Sequence, residues 1–236
     1  MREAIGAEIG VMGDVAVLSE RRAQRLLRDS ISRAPGVGGI DSSVAFYFDP
    51  CCPFSYLAAE RVERQFSGVE WVPLAAAALQ TDRPWSDPGV ARVLRVRAER
   101  RAAELRLPLV WPERFPPEGT AALRVAVYAV RAGVGSVFAL AACRLAFCGG
   151  FDLEDRLNLA EAAAAAGIEL EACMLAANDQ ANDVPLEAAA RGLLAHGVTE
   201  LPAFGLGARW FAGEHRLAEA SAWARAPLAA TQTLPG

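Results

Sequence analysis

At 236 residues the chain has the length of one large domain or two small ones, too long for a disulfide-stapled miniprotein. Its 53% hydrophobic and 22% charged residues and formal net charge of -4 exclude a wholly disordered or polybasic chain, and no nucleic acid is expected as a partner. Every basic residue other than histidine is arginine, which excludes Schiff-base and other lysine chemistry.

Alanine runs such as Ala75 to Ala78 and Ala162 to Ala166 supply much of the hydrophobic fraction, and no stretch of about 18 uninterrupted apolar residues occurs, so no membrane span is expected. The opening MREAIGAEIGVMGDVAVLSERR puts acidic residues where a secretory peptide carries cationic and apolar ones, giving the expectation of a cytoplasmic protein with reduced thiols. Cys51, Cys52, Cys143, Cys148 and Cys173 form an odd set without paired metal spacing, far in sequence from His196 and His215, so no metal site is expected.

In chain order, residues 1–41 read as an N-terminal extension, with Ser19 as the cap of a helix whose apolar face is Ala23, Leu26, Leu27 and Ile31. Val44 to Asp49 is a buried strand that runs into Pro50-Cys51-Cys52-Pro53-Phe54. A helix over 55–66 follows, its face drawn by Phe54, Ala58, Val62 and Phe66, and then a strand over 69–74, which completes a βαβ unit. Helices are predicted at 89–106, 120–132, 135–148, 153–166, 169–177 and 184–196. Strand character returns at 203–206 and 209–211, joined by a Gly207-Ala208 turn, before a last helix over 214–225. The fold class is therefore α/β, with βαβ and ββα halves around a large all-helical insertion. The division is 1–41 for the extension, 42–87 with 197–236 for the thioredoxin-like domain, and 88–196 for the insertion.

Three stretches are similar to the DsbA-like thioredoxin-fold family, in particular to the 2-hydroxychromene-2-carboxylate isomerases and kappa-class glutathione transferases. They are FYFDPCCPFSYLA at 46–58, RFPPEGTAALRVA at 114–126 and GVTELPAFGLGARWFAGEHRL at 197–217. The resemblance implies that Cys52 stands where such isomerases and transferases place a serine that holds the glutathione sulfur, within Cys52-Pro53-Phe54-Ser55. The family's oxidoreductases have a second cysteine where this chain has Ser55. The resemblance also implies a cis-proline at Pro202, with the backbone of Leu201 beside the Cys52 sulfur, and homodimerisation.

Cys52 precedes a helix, whose unpaired N–H groups and dipole favour a thiolate, so an activated nucleophile is expected there. Cys51, Phe54, Leu201, Pro202, Glu214 and Glu118 are the expected substrate-binding set. Ser55 and His215 join Cys52 as catalytic candidates, His215 because its ordinary pKa lies near neutrality. Cys143, Cys148 and Cys173 read as core, and His196 as a helix cap.

Measured against the family's glutathione contacts, His215 stands where an acidic residue is usual, Glu118 where an asparagine is usual, and the isomerases' lysine has no counterpart. The expected reaction is geometric isomerisation of a double bond in a conjugated unsaturated carbonyl compound, free or carrier-bound, by reversible addition of the Cys52 thiolate. No cofactor is expected, glutathione or another small thiol being the alternative. The rival functions are a thiol-disulfide oxidoreductase using Cys52 with Cys51, a glutathione-dependent isomerase or transferase, and a non-catalytic thioredoxin-fold binding module.

Overall fold

Strand β1 (Ser43–Phe48) sets the frame, because its alternating Val44, Phe46 and Phe48 are fully buried on one side of the sheet. The computed structural model describes residues 43–79, 87–116 and 118–226; the expected extension and its Ser19-capped helix lie outside them. β1 pairs in parallel with β2 (Gly68–Pro73), from Ser43 opposite Gly68 to Phe48 opposite Pro73. On its other edge β1 runs antiparallel to β3 (Ala203–Leu206), which turns through Gly207-Ala208 into β4 (Arg209–Ala212). Gly207 takes a φ of 59°, a left-handed value that glycine adopts without steric cost. The strand order is β2-β1-β3-β4.

Helix α1 (Pro53–Gln65) makes the crossover between β1 and β2. Between β2 and β3 come α2 (Pro88–Leu105), α3 (Thr120–Arg131), α4 (Gly135–Phe147), α5 (Arg156–Ala165), α6 (Leu170–Asn178) and α7 (Asp183–Ala195). A 3-10 turn at Glu214–Arg216 then leads into α8 (Leu217–Arg225). The two halves β1-α1-β2 and β3-β4-α8 thus flank the helices, the thioredoxin-like arrangement that the order of elements predicts.

α1 begins two residues early, at Pro53, a residue suited to the first helical position, and two other starts fall three residues late for local reasons. α5 begins at Arg156 rather than 153, because the Asp155 carboxylate accepts the Leu157 N–H at 2.7 Å and caps the helix there. α8 begins at Leu217 rather than 214, its predicted first turn being the tighter 3-10 turn.

One apolar core runs from the sheet into the helical block, joining Phe46, Tyr56 and Leu57 to Phe138, Phe147 and Leu159. Phe46 stacks on Phe48 and Phe204 at 5.7 and 5.5 Å and meets Trp71 edge-on at 4.9 Å. Leu193 of α7 belongs to a second cluster with Leu74, Leu79, Val198, Leu201 and Ala203. α2 packs sparsely by comparison: of its 18 residues only Ala98 and Ala102 are buried, and Val93 and Val96 face solvent. No helix among the described residues is long and apolar enough to cross a membrane.

Candidate active site

The site is built where β1 stops and α1 starts. Asp49, buried at the strand end, receives the Cys51 N–H on one carboxylate oxygen and the Ala76 N–H on the other, both at 2.8 Å. It thereby ties the cysteine turn to the loop after β2. Burial pushes the Asp49 carboxyl above its ordinary range, with the two N–H donors pulling the other way. The Cys52 N–H closes the turn on the Asp49 carbonyl at 3.0 Å, and the Cys52 carbonyl accepts the first bond of α1, from Tyr56 N–H at 3.1 Å.

The two adjacent cysteines part company. Cys51 belongs to the apolar core beneath Gly119, so close that a Cβ on Gly119 would stand 2.9 Å from its sulfur. This corrects the expectation that Cys51 binds substrate: successive side chains of an extended turn point to opposite sides, and this one points inward. Gly119 also has a φ of 71°. Gly119→Ala is therefore expected to lower stability by about 1–3 kcal/mol, combining left-handed strain with the sulfur clash, as read by urea denaturation. An unchanged midpoint would place Cys51 elsewhere.

Cys52 instead lines a hollow of about 170 Å³ with Phe54, Ala76, Leu94, Glu200 and Leu201. The expected activation is reversed: the Cys52 thiol is pushed up to about 11 by burial first and by the Asp49 carboxylate second. The N–H groups of Phe54 and Ser55 and the Ser55 hydroxyl do favour the thiolate, as a helix start should, but they are outweighed. Pro53 at the first helical position also removes one N–H from that donor set. Ser55 is fully buried and its Oγ also accepts the Asp49 N–H at 3.2 Å, so one hydroxyl links the carboxylate's own backbone to the sulfur.

Leu201 lines the same hollow, and the Leu201–Pro202 peptide bond is cis. The Pro202 carbonyl accepts the Gly213 N–H at 2.7 Å, which fixes the start of the 214–216 turn against it.

A second hollow of about 240 Å³ adjoins the first, the two sharing Phe54, Arg97 and Glu214. Arg97, Arg100 and Arg101 of α2 line it, with His215 opposite. Each hollow falls below the roughly 300–1,000 Å³ of drug-sized sites, so a slim ligand running through both fits best.

His215 lies at this arginine end, its Nδ1 3.5 Å from Arg97, and does not line the Cys52 hollow. Glu214 is committed. Its carboxylate is 2% exposed, accepts Arg101 Nε at 2.7 Å and Nη2 at 3.2 Å, and pairs with Arg61. The expected ligand role for Glu214 is corrected accordingly: both oxygens already serve guanidinium groups. Glu118 is exposed and lines neither hollow.

Among the other expected groups, Cys143 and Cys173 are buried, and Cys148 is half-buried, packed against the edge of the core with its sulfur 3.2 Å from the Tyr56 hydroxyl. His196 caps α7 by donating from Nδ1 to the Gly192 carbonyl at 2.8 Å. No metal-ligating cluster occurs among the described residues.

Sequence reasoning missed Asp49, Arg97 and Glu200. Asp49 carried a usable signal, an acidic residue at the end of an apolar strand. Arg97 and Glu200 carried none, since one among many arginines and one loop glutamate acquire meaning from the groove alone.

This is the geometry of a thioredoxin-fold site, a cysteine at a helix start facing a proline loop. The chain matches the DSBA-like thioredoxin domain over residues 43–221 and belongs to that family. No curated protein sequence matches it. Among solved structures it is similar to a 2-hydroxychromene-2-carboxylate isomerase, at 19% identity and a TM-score of 0.63 over 77% of this chain and 93% of that one. It is also similar to the probable DsbA oxidoreductase of Streptomyces coelicolor, at 22% identity and a TM-score of 0.59 over 79% and 92%. A third is the cytosolic disulfide reductase DsbM of Pseudomonas aeruginosa with GSH, at 18% identity and a TM-score of 0.56 over 77% and 95%. At these identities the likenesses speak for the fold.

Proposed function

We propose that the chain is an isomerase that interconverts the geometries of a double bond conjugated to a carbonyl, with Cys52 as the adding sulfur and no external thiol. The observation that carries the reading is that, among the described residues, no second sulfur lines the Cys52 hollow. Cys52 lines the hollow, Cys51 faces the core beneath Gly119, and Ser55 occupies the place of a resolving cysteine. Dithiol exchange calls for a second sulfur at the open site, which this hollow does not present, whereas reversible conjugate addition requires only one.

The surroundings fit such a substrate. Phe54, Ala76, Val90, Leu94 and Leu201 offer apolar contact to a conjugated chain or ring. The commitment of Glu214 to Arg61 and Arg101 leaves it with no free oxygen for the amino group of a glutathione-like thiol, which supports a self-contained sulfur.

The test is alkene-geometry conversion of a panel of conjugated aryl and polyenyl acids and thioesters by the purified protein, with and without glutathione, beside Cys52→Ser. Turnover without added thiol that vanishes in Cys52→Ser is the expected result. Turnover that appears only with added thiol overturns the self-contained mechanism. Catalytic reduction of a small disulfide with no alkene conversion assigns the site to redox exchange instead.

A further inference from the structure

Conjugate addition moves charge away from the sulfur, and the receiving end of that movement has a requirement of its own. As the Cys52 sulfur forms its bond to the β-carbon, the alkene pair shifts toward the carbonyl carbon and the carbonyl pair settles on oxygen as an enolate. The thiol proton leaves to water at the open end of the groove. Rotation about the former double bond follows, after which the enolate collapses, the carbon–sulfur bond breaks and the thiolate takes back a proton from water. Nothing is oxidised or reduced, and the enolate oxygen is the one new full charge.

We propose that Arg97 is the catalytic cation that stabilises this enolate, an inference that rests on Cys52 being the adding nucleophile. Among the described residues it is the only cation lining the Cys52 hollow. The other two arginines of the groove wall are spoken for, Arg100 by Glu104 and Arg101 by both Glu104 and Glu214.

Arg97 has no carboxylate partner among the described residues. Its guanidinium lies 5.1 Å from the centre of the Phe54 ring, and its Nη2 is 3.5 Å from His215 Nδ1. A cation held over an aromatic face keeps its charge available to a third party. Phe54 is two residues from Cys52 and lines both hollows, so the platform that carries the guanidinium is tied to the turn that carries the sulfur. The planar fork of Arg97 can donate two N–H groups to one oxygen, which a lysine could not match in geometry.

The test uses two electrophiles on the full chain, both followed at Cys52 by mass spectrometry. Benzylideneacetone is neutral, carries no carboxylate and passes through an enolate when a thiol adds. Iodoacetamide is attacked at carbon with loss of iodide, and no enolate forms. Arg97→Gln is expected to slow addition to benzylideneacetone about tenfold while leaving alkylation by iodoacetamide unchanged, with Arg97→Lys between the two. That effect is set below the roughly 100- to 1,000-fold of a buried oxyanion donor because Arg97 is exposed.

Equal slowing of both reactions, or of neither, overturns the assignment. A wild-type Cys52 silent toward both electrophiles overturns the nucleophile beneath it. Selective slowing with no isomerisation across the alkene panel leaves Arg97 as assigned and removes only the isomerase reading.

Discussion

Alkylation of Cys52 by iodoacetamide is expected to accelerate about tenfold per pH unit between pH 7 and 10, about a thousandfold in all, without a plateau in that range. The thiolate is the reactive form, and burial and Asp49 push the thiol up to about 11, so ionisation is far from complete at pH 10. The sign follows from the buried surroundings: a neutral thiol is favoured, and raising the pH works against that preference until the folded-state value is reached. Cys52→Ala supplies the background from Cys148, the half-buried cysteine. A plateau near pH 7 would show that the helix start outweighs burial. If Cys52 carries the chemistry, turnover shows the same ascending limb, displaced only as far as a bound substrate alters the charge and water around the sulfur.

Glu214→Gln is expected to destabilise the fold by about 2–4 kcal/mol, a shift in the urea midpoint that Glu219→Gln, on the exposed face of α8, does not reproduce. The buried Glu214 carboxylate fastens together α1 through Arg61, α2 through Arg101, and the turn before α8. An amide leaves two guanidinium groups around a neutral side chain. The expected cost stands slightly below that of breaking a wholly buried pair, since Arg61 and Arg101 are 15% and 30% exposed. A loss under about 1 kcal/mol would reduce the cluster to surface decoration. Because this fastening sets the separation of α2 from the cysteine turn, the same variant is expected to loosen the groove.

The fold was legible because its signals are local. The run VAFYFD, the four-residue spacing of Phe54, Ala58, Val62 and Phe66, and the Gly207-Ala208 turn each specify an element without reference to anything distant. The elements of the site were legible in the same way, Cys52 and Ser55 through their place before and within α1. What the sequence left hidden is what proximity creates. That the Cys52 thiol is raised depends on how completely Leu201 and the Asp49 turn enclose it, and enclosure has no local signature. The inward turn of Cys51 rests on Gly119, 68 positions away. The capture of Glu214 likewise needs Arg61 and Arg101, brought to it from two other helices.

The sparse packing of α2 sets folding and substrate choice on separate footings. Val90 and Leu94 line the groove beside Cys52 from a helix whose own burial is confined to two alanines. Substitutions there can reshape what the groove admits while drawing little on the stability of the protein, whereas the opposite wall, formed by the cysteine turn and Leu201, belongs to the core. Divergence toward new substrates, natural or engineered, therefore has a preferred route along one helix, and a library confined to Val90 and Leu94 would sample changes in preference among variants that still fold.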